Sequence, residues 1–258
     1  MSADGLLALL ARLAQAGRPR RPWRARVSGV RAKRTARLKD SVSGATFGGS
    51  FVELAGPTSA TLAYADLAGA DLSNASLPYT NLFSADLTLA DLTDACLACA
   101  NLAEANLADA ILAYANLAGA DLSRATLTSA DLTRSKLIDA NLSHADLASA
   151  HLTHADLTGA KLTDANLAGA DLSGATLTDA DLTRANLRGA DLTDADLTRA
   201  NLYSSLHAGS AILLGAQFSE HTRWPSEFAA GMRGRSETIS FGRWQVTGRG
   251  PSEGNAEP

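Results

Sequence analysis

The sequence predicts an all-β solenoid, a coil of short strand-and-turn units around an apolar interior, and three observations predict it. Leu returns at every fifth position from Leu62 to Leu202 without a miss, which is 29 consecutive units. Two residues before each Leu stands Ala, with Thr80 and Ser135 the exceptions. One residue before, twelve positions are Asp and eight are Asn; one residue after, Ala, Ser and Thr dominate, and the next position is unrestricted. A five-residue step on an α-helix turns about 140° round the axis, so Leu would wander over every face and form no stripe. In a flat strand an odd period throws successive Leu to opposite sides. Ala and Leu within one unit lie two apart and share a side. Only a chain that turns after every unit brings each Ala/Leu pair inward, and in such a coil each turn buries the next.

The composition suits that architecture. Hydrophobic residues make up 46% of the 258, yet aromatics are only 5%, so the interior is built from Leu and Ala. No apolar run approaches the roughly 18 residues a membrane span needs. Leu6–Ala16 is apolar but has no basic segment before it and no cleavage pattern after it, so no signal peptide is expected. With two cysteines and no export signal, the expected location is the cytoplasm.

Along the chain, residues 1–40 come first and read as a basic arm. They hold eleven Lys/Arg against Asp4 and Asp40, and Gly17–Asp40 is dense in Arg and broken by Pro. A short helix over Leu6–Gln15 is expected, the remainder being disordered. Residues 41–219 form the solenoid, and 220–258 a cap segment with a disordered tail. Val42, Phe47, Val52 and Pro57 continue the Leu register backwards as degenerate first units, with bulkier Phe47, Phe51 and Val52 closing that end. From 41 to 203 there are twenty Asp/Glu against seven Lys/Arg, an acidic rod beside a basic arm.

The pattern A-(D/N)-L-(S/T/A)-x resembles the pentapeptide-repeat family over about 145 residues. The resemblance implies a right-handed quadrilateral β-helix with four units and twenty residues per coil, hence about seven coils. At the usual strand spacing that rod is roughly 35 Å long. It also implies that Phe218–Phe228, "FSEHTRWPSEF", is the T-x-W-P-x-x-F tail whose aromatic residues cover the last coil. Before it the phase slips: Leu202 to Leu213 is eleven residues, so one extra residue sits within Tyr203–Ala211. Thr238–Val246 has strand character, and its place is open.

Several residues invite chemistry, and the repeat accounts for most of them. Cys96 and Cys99 form a C-x-x-C, but both sit at repeat positions with no second such pair, so metal or redox use is not expected. His144, His151 and His154 cluster, and with twenty residues per coil His151 lies between Asp131 and Asp171. Such a set could hold a transition metal, but a solvated ion-pair ladder is the commoner use. No nucleophile elbow, phosphate loop or metalloprotease motif occurs, so neither catalysis nor a cofactor, metal or small-molecule substrate is expected.

That leaves binding. The expected function is a non-enzymatic scaffold or interaction module whose partner is another protein. The family resemblance implies an alternative, a DNA-mimicking protector of a DNA topoisomerase (gyrase). Nucleic acid or an anionic membrane is expected only at the basic arm. One column of the position before Leu reads Asp71, Asp91, Ile111, Asp131, His151, Asp171, Asp191, while another reads Thr61, Asn81, Asn101, Asp121, Asn141, Lys161, Asp181, Asn201. The acidic bias of the first makes it the expected contact surface for a basic partner.

Overall fold

Backbone hydrogen bonding decides the architecture. In the unit around Leu132, the Asp131 N–H donates to Ala110 of the preceding coil (2.9 Å), and the Leu132 and Arg134 N–H groups donate to His151 and Thr153 of the following one (2.7 and 2.9 Å). The Ser135 N–H closes the turn on the Leu132 carbonyl (3.0 Å). The Thr133 N–H, pointing into no neighbouring strand, is taken by Asp131 Oδ1 at 2.9 Å. All five N–H groups of the unit are thus satisfied, the fifth by the side chain before Leu. An unpaired N–H in a packed wall is costly, so the repeat carries Asp or Asn there.

In the computed structural model, which describes residues 61–205 and 208–247, this unit recurs along the rod. Parallel bridges link residues twenty apart, Asp71 to Asp91, Ser76 to Cys96, Asn81 to Asn101 and Asp86 to Asn106 among them. Four units therefore close each coil, and the molecule is a right-handed quadrilateral β-helix. The faces are numbered in chain order, the first containing Leu62, the second Leu67, the third Leu72 and the fourth Leu77. The residue two after each Leu forms the corner, and from Tyr64 to Ser204 every corner has a positive φ, between 50° and 67°. Positive φ at the third residue alone is the signature of a type II turn.

Leu72 to Leu197 at the centre positions are wholly buried, and the preceding Ala residues are buried with them. Each buried Leu contributes about 1.5–3 kcal/mol. Ala is small enough where the walls approach; Thr80 and Ser135 take its place twice and are equally buried. The degenerate units proposed for 41–60, and the arm before them, lie outside the described residues.

The extra residue after Leu202 is accommodated by a 3-10 turn at Ala208–Ser210, after which Asp191 bridges Ile212 and Asp196 bridges Gln217, each pair 21 apart. A further residue enters before Arg223, which bridges Asn201; the sequence phase did not show it. Leu213 and Phe218 are buried centres as expected. Past them, strand β1 (Gln217–Ser219) pairs antiparallel with β3 (Arg243–Val246), which pairs with β2 (Ser236–Ser240). This gives Thr238–Val246 its place: it is a hairpin extending the fourth face. A short helix, α1 (Ser226–Met232), crosses between them. Phe218 lies at the centre of the cap, with Trp224 edge-on at 5.5 Å and Trp244 stacked at 5.7 Å, while Phe228 packs on the same core. The Arg233 guanidinium stands over the Trp244 ring at 4.8 Å.

Candidate functional site: the acidic column of the third face

The bridges run Asp71, Asp91, Ile111, Asp131, His151, Asp171, Asp191, so the structure brings the sequence-predicted residues into one column. Asp91, Asp131, Asp171 and Asp191 each use Oδ1 to accept the N–H two residues on, at 2.9 Å. Asp71 does the same with Ser73 at 3.0 Å. Their first role is structural, shared with every Asp and Asn that holds a turn.

The donors that link one coil to the next distinguish the columns. On the first face, Asn101 Nδ2 donates to Asn81, Asn141 to Asp121 and Asn201 to Asp181, at 3.0–3.2 Å. Amides there tie one coil to the next and keep the polar atoms engaged within the wall. The third-face column contains no Asn. Where it gains a further hydrogen bond it comes from a hydroxyl, as Thr153 to Asp171 Oδ2 at 2.9 Å. Burial alone would push Asp171 up. The Ser173 hydroxyl and amide, the Thr153 hydroxyl and the His151 charge outweigh it and hold the carboxyl below its usual range. Asp171 thus stays ionised.

His154 does not join the column. Its imidazole lies over Gly174, in the space a Cβ there would fill. Two ion pairs form at other corners instead. Asp164 takes a bidentate Arg184 guanidinium, with His144 Nδ1 3.8 Å away, and Asp179 takes Arg199 the same way. The guanidinium of Arg184 keeps Asp164 low, and that of Arg199 keeps Asp179 low. Both cysteines carry free thiols. Among the described residues no His, Cys, Asp and Glu side chains converge in threes to hold a metal, and no helix is long and apolar enough to cross a membrane.

One feature of this face escaped sequence reasoning. Ile111 interrupts the acidic column with 42% of its surface exposed, between Leu89 (65%) at one corner and Tyr114 (53%) at the other. The Ile111 N–H donates to Ala90, next to Leu89, so the three span the width of the face across two coils. The available signal was an apolar residue where the repeat carries Asp.

A coil of five-residue units closed four to a turn, with outward Asp and Asn capping most corners, is the architecture of a repeat scaffold rather than of an enclosed pocket. The family profile for pentapeptide repeats matches in eight copies, over residues 58–94, 100–137, 125–164, 140–179 and 165–202, and the chain belongs to that family. It is a family of structural and interaction proteins. Among solved structures the chain is similar to HetL, a pentapeptide repeat protein involved in heterocyst differentiation regulation from the cyanobacterium Nostoc, at 41% identity, covering 60% of this chain and 75% of that one with a TM-score of 0.30. It is similar to a pentapeptide repeat protein of the Arabidopsis thaliana thylakoid lumen at 31% identity, covering 50% and 83%, with a TM-score of 0.32. QnrB1, a plasmid-mediated fluoroquinolone resistance protein, is matched at 18% identity, covering 64% and 94%, with a TM-score of 0.40. No curated protein matches.

Proposed function

We propose that the chain is a non-enzymatic scaffold that binds another protein through the acidic column of the third face. The observation that carries this reading is the absence of amide donors from that column: among the described residues, Asp91, Asp131, Asp171 and Asp191 have no Asn in it to bond them coil to coil. A basic surface docked there would relieve the repulsion between stacked carboxylates, giving association that is fast and weakens with salt. A second reading, a duplex-mimicking topoisomerase protector, is favoured by the excess of acid on the rod. The turn-capping duty of each Asp supplies a structural reason for that excess and favours the scaffold.

The test compares two double variants. Asp131→Asn with Asp171→Asn removes charge from the column while keeping the Oδ1 that caps each turn. Asp121→Asn with Asp181→Asn does the same on the first face. The first pair should raise the Kd of a partner recovered by pull-down about tenfold, equivalent to about 1.4 kcal/mol, and the second should not. Equal binding by the two pairs refutes the assigned face. Protection of gyrase in a supercoiling assay, lost in the first pair, would make the second reading the right one.

A further inference from the structure

The apolar spot on the third face is more specific than its acidic surroundings. Leu89, Ile111 and Tyr114 are exposed on two adjacent coils of this face. Asp91 and Asp131 bridge Ile111 from below and above. Asp109 occupies the corner one coil beyond Leu89, and Asp94 the corner one coil before Tyr114, with Arg134 one coil past it. An apolar anchor ringed by four carboxylates selects a segment with an aromatic or aliphatic side chain set among cations. Ile111 also costs the rod something, because its side chain cannot accept the Ala113 N–H as Asp would.

This chain carries such a segment. Trp23 stands among Arg18, Arg20, Arg21, Arg24 and Arg26, and no acidic residue falls between Asp4 and Asp40. Trp23 is 38 residues before Thr61, a stretch that spans roughly 125 Å at full extension. Ile111 lies two to three coils from Thr61, roughly 12 Å along the axis. Attachment to the same molecule sets an effective concentration in the millimolar range, enough for a modest contact.

We propose that the segment Gly17–Val30 docks on the third face of its own rod, with Trp23 on Leu89 and Ile111, the arginines on Asp91, Asp94, Asp109 and Asp131, and a guanidinium over Tyr114. Tyrosine faces attract cations, and the apolar contact fixes the register that charge alone would leave free. The segment then covers the face assigned above to a partner, and partner binding displaces it. The docking needs no partner, so the two proposals fail separately.

The test is limited trypsin digestion of the full chain, following cleavage after Arg20, Arg24 and Arg26 by mass spectrometry. The variants are Ile111→Asp with Leu89→Ser, which restores the repeat pattern at 111, and Trp23→Ser, which leaves the rod untouched. At low salt the native chain should be cut about fivefold more slowly than either variant, the difference vanishing near 1 M salt. The rate should be unchanged by tenfold dilution. Ile111→Asp adds a negative charge, so attraction by charge alone would slow cleavage further; faster cleavage is the mark of an apolar anchor. Equal rates for all three proteins, slower cleavage in the Ile111→Asp variant, or protection that fades on dilution would each overturn the proposal.

Discussion

At Ser135 a hydroxyl occupies the position where 27 of the 29 units place Ala. The residue is 1% exposed, and its Oγ meets no hydrogen-bond partner. A buried hydroxyl left unpaired gives up its water without compensation, at a cost of about 1–3 kcal/mol. Ser135→Ala removes that oxygen and leaves the side chain the wall normally holds, so it should stabilise the rod by about 1 kcal/mol and raise Tm by a few degrees in thermal denaturation. An unchanged or lower Tm would mean that the hydroxyl has a partner, such as a trapped water. Thr80 Oγ1 is unpaired too, but Thr80→Ala would also remove a packed methyl and leave a void, so its gain should be smaller. The sequence marks both positions as departures from the pattern. It does not show that the hydroxyls face a wall with nothing to accept them, because that follows from the neighbouring coil.

The five-residue unit was legible because its inward positions, Ala and Leu, are chemically unlike its outward ones. The corner was less so. Its side chain is unrestricted, yet its backbone is not: Tyr64, Leu89, Arg134 and His154 all hold φ between 56° and 59°, a region disfavoured for side chains with a Cβ. Closure of the coil imposes that conformation, and no residue type at the corner announces it. The hairpin Ser236–Val246 and helix α1 have no repeat to reveal them, since they are held by Phe218, Trp224 and Trp244 in three dimensions. Within the unit, the Asp turn makes a pH prediction. Burial would raise Asp171 and Asp181, but bonds from Ser173 and Thr153, and from Thr183, Thr163 and Asn201, leave both below 3.8 in the folded state. Stability from a lowered carboxyl is fully present above the unfolded value and is lost as pH falls through the folded one. The native rod should therefore begin to lose Tm only as pH falls below about 4, and Asp171→Asn with Asp181→Asn should flatten that fall. A fall of unchanged steepness in the double variant would place the acid sensitivity in other carboxylates.

The whole rod is close to one-dimensional. Its ladder bonds join each coil only to the coils on either side, twenty residues away, and its interior is one continuous stack of Leu. In such a stack stability is a sum of coil and interface contributions, and loss at an end propagates inward one coil at a time. The C-terminal end is closed by Trp224, which takes the place of the next Leu: Thr222 is buried before it, Arg223 bridges Asn201, and its ring meets Phe218. Removing that ring uncovers Leu202, whose column it closes. Trp224→Ala should cost about 3–5 kcal/mol, as large aromatic deletions from packed sites do. Where the cost appears is the sharper expectation. Amide hydrogen exchange should rise first in Asp181–Leu202, less in Lys161–Leu177, and least in Asn101–Leu132, because opening begins at the uncapped end. A rise of equal size in all three stretches would show that the rod melts as a single cooperative unit and that its stability is not a sum over coils.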